Sequence, residues 1–146
     1  MPRGRIMGID YGEKRVGVAI SDELQLAAHP LATVDSKPES ALLARLAEIV
    51  EAQSVVEIVV GLPLSLSGER GVAAARVERF VKKLSERVRV PVETFDERMT
   101  TKIAERSMRE ANLSSRKARR VVDKAAAALI LDDYMRFVFN RKRQGR

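Results

Sequence analysis

The order of apolar runs along this chain restricts the fold more than any other feature of its sequence. Three runs typical of β-strands come first, with no helical pattern between them: Arg5 to Asp10, Arg15 to Ile20 and Ala28 to Val34. Gly12 lies in the turn after the first run, which predicts a hairpin, and Pro30 interrupts the third, which predicts a weaker strand. The chain therefore begins with three antiparallel strands.

The rest of the chain alternates between helical and strand patterns. Apolar residues at helical spacing predict helices over Glu39 to Ala52, Glu69 to Val88, Met99 to Ala111 and Arg116 to Val138. Apolar runs rich in valine predict two further strands, over Val55 to Val60 and Val90 to Phe95. We expect one domain over residues 1–140 and a basic disordered tail over residues 141–146.

This order, β-β-β-α-β-α-β-α, is the order of the ribonuclease H-like fold. It predicts an α/β protein with a five-stranded mixed sheet, in which three antiparallel strands are followed by two parallel strands. The helices would flank the sheet. Because one fold supports many activities, the chemistry has to be argued from particular residues.

Charge is distributed unevenly along the 146 residues. The net charge is +7, but residues 1–97 carry 13 basic and 15 acidic side chains, whereas residues 98–146 carry 14 and 5. Such asymmetry favours a polyanionic partner, and no predicted helix has the strongly apolar face of a membrane anchor. We therefore predict a nucleic-acid partner and no membrane contact, with a solvated basic surface as the plainer alternative.

Several classes of site are excluded by composition. The chain has no cysteine and one histidine, so disulfides, thiolate zinc sites, cysteine nucleophiles and multi-histidine metal sites are all excluded. Any bound metal must be a hard cation held by oxygen. The amino terminus has no apolar signal core and no run is long enough to span a bilayer, so we expect a cytoplasmic protein.

Acidic residues end two of the predicted strands. Asp10 closes the first strand, and Glu97 follows the last strand with Asp96 beside it. Because side chains alternate along a strand, Asp96 and Glu97 cannot both face one site if the strand stays regular. Asp123 lies in the last helix, before the small residues Ala125 to Ala128, which would let this helix approach the sheet closely.

In the predicted sheet, Asp10, Glu97 and Asp123 can converge. Three carboxylates with no basic side chain between them repel one another unless hard divalent cations lie among them, which predicts Mg²⁺ or Mn²⁺. Two such ions about 4 Å apart can activate water and stabilise a departing phosphate oxygen. Each carboxylate also has a structural alternative: Asp10 as a turn residue, Glu97 as a helix cap and Asp123 as an ion-pair partner of Arg119.

The stretch GLPLSLSGER, residues 61–70, is a candidate phosphate-binding loop. It follows a strand and opens a helix, so its backbone N–H groups could receive a phosphate, with Arg70 and Arg76 nearby. The spacing is not that of a Walker loop. An ordinary turn with Ser67 as the helix cap explains the same residues, and the sequence alone favours that interpretation.

Four sequence blocks, GIDYGEKRVGVAISD, GLPLSLSG, FDERMTT and VVDKAAAALILDDY, resemble the successive signature blocks of the YqgF/RuvX family. Members are small bacterial ribonuclease H-like nucleases, related in fold to the RuvC Holliday junction resolvases. The resemblance spans Ile6 to about Tyr134. It implies a metal-dependent phosphodiesterase whose catalytic and metal-binding residues are Asp10, Glu97 and Asp123, acting in 5′-end maturation of pre-16S rRNA or on branched DNA.

Basic residues in and near these blocks are candidate nucleic-acid contacts: Lys14, Arg15, Arg70, Arg76, Arg98, Arg119 and Arg120. Aromatic residues make up only 4% of the chain, so recognition would use phosphates and shape. The sequence is compatible with RNA or branched DNA, and with a monomer or a homodimer. A homodimer would supply the two sites that symmetric cleavage of a four-way junction needs.

The chain departs from the related RuvC pattern at one position. RuvC-type resolvases carry two acidic residues one turn apart on the last helix, but here Ala126 stands three residues after Asp123. Asp132 and Asp133 lie roughly 14 Å further along, at a helical rise of about 1.5 Å per residue, and cannot substitute. Three carboxylates rather than four are predicted.

Two other function classes share some of these features. The opening G-I-D-x-G resembles a phosphate loop of the actin and Hsp70 ATPases, but those enzymes enclose nucleotide between two domains and this chain has one. A non-catalytic RNA- or ribosome-binding module would keep the basic surface and the fold without turnover. The presence of all three carboxylates favours the nuclease.

Overall fold

The structure, a computed structural model, describes residues 4–64, 71–97 and 115–144. Five strands are formed: β1 (Arg5–Tyr11), β2 (Arg15–Ser21), β3 (Ala28–Asp35), β4 (Val55–Leu62) and β5 (Val92–Asp96). Three helices are described: α1 (Glu39–Ala52), α2 (Val72–Arg87) and α3 (Arg116–Gln144). The helix predicted over Met99 to Ala111 lies outside the described residues.

All five strands belong to one sheet with the order β3-β2-β1-β4-β5. β1 pairs antiparallel with β2, and β2 pairs antiparallel with β3. β4 lies parallel to β1, and β5 lies parallel to β4. The predicted ribonuclease H-like arrangement of three antiparallel strands followed by two parallel ones is therefore confirmed.

The sheet separates two apolar clusters. On one face, Met7 and Ile9 of β1 pack in a cluster with residues of α1 and α2, including Leu46 and Phe80. Strand alternation turns Ile6 of β1 to the other face, where α3 supplies the core. Full burial of side chains of this size contributes about 1.5–3 kcal/mol each, so both faces fix the sheet firmly.

Small residues bring α3 close to the sheet. A β-carbon built on Gly8 of β1 would lie 3.0 Å from the carbonyl oxygen of Ala127 and 2.7 Å from Cβ of Leu131. Ala126 and Ala127 are buried on this side of the helix. The close approach that the stretch Ala125 to Ala128 predicted is confirmed, and a side chain at Gly8 would prevent it.

Two predictions, about the end of the last helix and about Pro30, are wrong. α3 does not end at Val138 but continues to Gln144, so residues 141–144 of the predicted tail are helical. Lysine, arginine and glutamine are good helix formers, and basic side chains suit the negative carboxyl end of a helix. Pro30 does not interrupt β3, because it lies in an edge strand where the register with β2 shifts beside it.

The helix after β4 also begins later than predicted. α2 begins at Val72, with Gly71 at its N-cap position and no side-chain cap hydrogen bond. None of the described helices combines the length and apolar character needed to cross a bilayer.

Candidate active site

Asp10 lies near the carboxyl end of β1, between two strands that each carry a glycine beside it. Gly17 of β2 is its direct partner in the antiparallel register. In the parallel register, Ile9 pairs with Val60, which places Gly61 of β4 next to Asp10. Since glycine has no side chain, both flanks of Asp10 are open to groups approaching from above the sheet.

Glu97 approaches Asp10 from the β4 side. A β-carbon built on Gly61 would lie 3.1 Å from Oε1 of Glu97 and 3.2 Å from its Cγ. Glu97 follows β5 immediately and shares the face of Phe95, which is buried against α3. Its side chain therefore lies on the same sheet face as Asp10, as strand alternation predicts for Glu97 rather than Asp96.

Asp123 approaches from the β2 side. A β-carbon built on Gly17 would lie only 2.0 Å from the carbonyl oxygen of Asp123, so the helix backbone passes directly over this glycine. Asp123 is 6% exposed. The three predicted residues thus lie on the α3 face of the sheet, with Asp10 between Glu97 and Asp123.

Asp123 also has a basic partner that the sequence did not indicate. Nε of Arg15, the first residue of β2, donates a hydrogen bond of 2.5 Å to Oδ2 of Asp123. The expectation of three carboxylates with no basic side chain between them is therefore wrong. The Arg15 guanidinium compensates the charge that Asp123 would otherwise bring unpaired into a buried position.

The donor set has the right chemistry for a hard cation, but the ligands are not assembled. Asp10, Glu97 and Asp123 offer only carboxylate oxygens, the donors that Mg²⁺ and Mn²⁺ prefer. Within residues 4–64, 71–97 and 115–144, however, no three acidic, histidine or cysteine side chains are close enough to hold a metal ion together. Metal binding by all three would require the carboxylates to move closer together, and a cation on Oδ2 of Asp123 would compete with Arg15.

A cavity of about 320 Å³ opens beside two of the three carboxylates, those of Asp10 and Asp123. Its lining includes Asp10, Asp123 and the turn between β1 and β2, where Lys14 is exposed. The turn itself is closed by backbone, since the N–H of Gly12 donates to the carbonyl oxygen of Arg15 at 3.0 Å. Lys14 and Arg15 are therefore held at the rim and in the wall of one cavity, beside the carboxylates.

Two of the other predicted phosphate contacts are engaged within the protein. Arg76 of α2 forms an ion pair with Glu13. Arg120 of α3 donates to Oδ1 of Asp35 and to the carbonyl oxygen of Thr33, both at 2.8 Å, and the first bond holds the pKa of Asp35 below its ordinary value. A phosphate contact by either arginine would use its remaining N–H donors or compete with these bonds.

Three predicted nucleic-acid contacts remain, and the structure describes one of them. Arg119 is exposed on α3. Arg70 and Arg98 lie outside the described residues, as do residues 65–70 of the candidate phosphate loop.

Sequence reasoning missed the two glycines that give the site its shape. Gly17 lies within the strand run RVGVAIS, and Gly61 is the second-to-last residue of β4. A glycine inside a strand pattern often marks close approach of another backbone, and that signal was available. The Arg15 to Asp123 pair carried no such signal, because 108 positions separate the two residues.

Comparisons with known proteins identify a family and related sequences. The model of a family described as "RuvX: Holliday junction resolvase" matches residues 4–136. A protein of Chloroflexus aggregans is 42% identical over 130 residues, which are 89% of this chain and 92% of that protein. One of Desulforudis audaxviator is 42% identical over 142 residues, 97% of this chain and 98% of the relative. Both are named "Putative pre-16S rRNA nuclease".

Solved structures support the fold at lower identity. RuvC of T. thermophilus, in complex with a Holliday junction substrate, superposes with a TM-score of 0.60 at 20% identity and covers 97% of this chain and 96% of its own. The Holliday junction resolvase of fowlpox virus gives a TM-score of 0.53 at 13% identity, covering 90% of this chain and 98% of its own. These similarities establish a resolvase-type ribonuclease H-like fold.

Proposed function

This chain belongs to the RuvX family, whose members are nucleases, and we propose that it processes the 5′ end of precursor 16S ribosomal RNA. The observation that carries the proposal is the position of Asp10 between Gly17 and Gly61, with Asp123 approaching over one glycine and Glu97 over the other. Asp10 and Asp123 line one open cavity, and Glu97 lies over Gly61, the β4 neighbour of Asp10. A stable fold alone would not need this concentration of negative charge.

We propose Asp10, Glu97 and Asp123 as the catalytic residues and as ligands of Mg²⁺ or Mn²⁺. The chemistry of the donors supports a hard cation, since the chain has no cysteine and a single histidine. When bound, such an ion supplies charge stabilisation at the scissile phosphate and a more acidic water. No cysteine, serine or histidine nucleophile is needed for that chemistry.

Two basic side chains of this chain complete the proposed site. Lys14, on the rim of the cavity, attracts a phosphodiester backbone toward Asp10. Arg15 lies in the cavity wall and donates to Asp123; after an exchange of partner, its guanidinium is free to donate to a phosphate oxygen instead. The site therefore binds and orients the substrate through phosphates, which suits a chain poor in aromatic residues.

The family description favours a second substrate, a DNA Holliday junction. Symmetric cutting of a four-way junction requires two active sites, so this activity would require a homodimer. Processing of one RNA end requires one site and would take place in the cytoplasm. The two substrates therefore predict different oligomeric states for the active species.

The decisive experiment compares both substrates. Wild-type protein is incubated with a pre-16S rRNA 5′-leader fragment and with a four-way DNA junction, each with Mg²⁺ or Mn²⁺, and the products are mapped to the nucleotide. We expect cleavage of the RNA at a discrete site near the mature 5′ end, absent in Asp10→Asn. Cleavage of the junction alone would favour the resolvase, and binding without cleavage of either substrate would favour the non-catalytic module.

A further inference from the structure

A second cavity, of about 620 Å³, adjoins the one over Asp10. The two cavities share Tyr11, Glu13 and Lys14, so they are continuous along the turn between β1 and β2. The second extends away from the carboxylates, past the end of β3, to Lys37 and to Arg116 at the start of α3. Neither of these two basic residues belongs to the proposed catalytic site.

Buried hydrogen bonds hold the walls of this cavity together. Ser36, 3% exposed, lies directly after β3. Its backbone N–H donates to the carbonyl oxygen of Lys14 at 2.9 Å, and its hydroxyl donates to the carbonyl oxygen of Glu13. The turn that carries Lys14 and the segment that carries Lys37 are thereby fixed side by side.

Both carboxylates that line the cavity are already paired. Glu13 forms its ion pair with Arg76, and Asp35 accepts a hydrogen bond of 2.8 Å from Arg120. Within the part of the chain that the structure describes, Lys14, Lys37 and Arg116 form no salt bridge, and all three are exposed. The cavity therefore presents an excess of positive charge that internal acidic groups do not neutralise.

We infer that this second cavity binds the phosphodiester backbone of the substrate strand on one side of the cleaved bond, through Lys37 and Arg116. The inference rests on the proposed function, because it takes the cavity over Asp10 as the place of cleavage. β3 lies two strands from β1, roughly 10 Å at about 4.8 Å per strand. The phosphates that Lys37 and Arg116 contact would therefore lie within a few nucleotides of the scissile phosphate.

The test removes the two charges without disturbing the fold. Lys37→Gln/Arg116→Gln is compared with Lys82→Gln/Arg87→Gln, which removes the same charge from exposed positions of α2. Binding to the pre-16S leader fragment is measured in Ca²⁺ at several salt concentrations. We expect the first variant to bind about tenfold more weakly, with a salt slope smaller by about 1.4 for two lost phosphate contacts, and the control to bind as wild type does.

A charge-conserving variant and trimmed RNAs sharpen the result. Lys37→Arg/Arg116→Lys should retain wild-type affinity. When the fragment is shortened from either end, the difference in affinity between wild type and Lys37→Gln/Arg116→Gln should vanish on shortening from one end only, once the nucleotides next to the cut on that side are removed. Equal affinity of both charge-removal variants, or a difference that persists on every trimmed RNA, would overturn the inference.

The binding test of the second cavity and the cleavage test of the proposed function can fail independently. If Lys37→Gln/Arg116→Gln shows the expected loss of affinity and of salt slope but wild type cleaves neither the RNA nor the junction, the nuclease proposal fails and phosphate binding by this cavity stands. If cleavage occurs and the two charge-removal variants bind alike, the cavity assignment fails and the nuclease stands.

Discussion

The two halves of α3 pack on the same sheet face but are held by different forces. The amino-terminal half, residues 116–124, is fixed by polar bonds, from Arg15 to Asp123 and from Arg120 to Asp35 and Thr33. The carboxyl-terminal half, residues 127–138, is fixed by apolar burial, with Ile130 and Leu131 fully buried. Apolar packing is non-directional and strong, whereas charged bonds can be exchanged for bonds to an ion or a phosphate.

The difference assigns separate tasks to the two halves. At the far end of the sheet, Tyr134 contacts Phe95 edge to face, with ring centroids 5.6 Å apart, and its hydroxyl hydrogen-bonds Glu57 and Glu93. This end anchors the helix. Because the anchor lies elsewhere, we expect the amino-terminal half, which carries Asp123, to change its contacts without unfolding the helix.

The largest expected effect comes from Asp10, at the charged end. Asp10→Asn keeps the shape and turn-forming ability of the side chain but removes its charge, so single-turnover cleavage should fall about 10³-fold or more, a barrier increase of about 4 kcal/mol. Binding should survive or tighten, because an anion leaves a polyanion-binding cavity. Asp96→Asn, one residue before Glu97 and turned to the other face by strand alternation, should retain most activity. Cleavage by Asp10→Asn at the wild-type rate would end the catalytic assignment.

Truncation of the apolar anchor should damage stability rather than chemistry. Leu131→Ala creates a cavity between α3 and Gly8, and it should lower the free energy of unfolding by about 2–5 kcal/mol in urea denaturation. Val121→Ala, at a half-exposed position of the same helix, should change it by less than about 0.5 kcal/mol. If both substitutions cost the same, the two halves of α3 are not anchored differently.

Removal of Arg15 should show whether Arg15 and Mg²⁺ compete for the carboxylate of Asp123. Arg15→Gln leaves a buried carboxylate without its partner, and it should destabilise the protein by about 1–3 kcal/mol in chelator. Added Mg²⁺ should then raise Tm more in this variant than in wild type, because Asp123 no longer has to give up Arg15. Arg45→Gln, which breaks a surface pair with Glu48, should alter neither value measurably; a smaller Mg²⁺ response in Arg15→Gln would contradict the exchange.

The smallest expected effect is the change in the pH dependence of stability when the hydroxyl of Tyr134 is removed. Burial, together with Glu57 and Glu93, raises the pKa of Tyr134 above its ordinary value of 10.0. The unfolded chain then loses this proton near pH 10 while the folded protein keeps it, so the contribution is complete below pH 10 and is lost as the pH rises further. Tyr134→Phe should cost about 1 kcal/mol at pH 7 and flatten the alkaline decline of Tm. If Tm of Tyr134→Phe falls with rising pH as steeply as Tm of wild type, other groups cause the alkaline decline.

The sequence by itself determined the element order and the candidate acids. Hydrophobic periodicity depends on local spacing, so it predicted all five strands and the exact bounds of α1. Helix ends were less certain, because α3 continues to Gln144 through residues that suit a helix and a disordered tail equally well. Asp10, Glu97 and Asp123 stood out because acidic residues at strand ends and before a small-residue stretch are unusual for a packed core.

Only the tertiary structure decided how those acids are arranged and what compensates them. Gly17 and Gly61 flank Asp10 because of strand register, which depends on pairing between distant segments. The bonds from Arg15 to Asp123 and from Arg120 to Asp35 join residues more than 80 positions apart, and no local pattern encodes them. Hydrophobic periodicity indicates on which face of a strand or helix a side chain lies. The residues that it contacts there depend on how the whole sheet and α3 pack together.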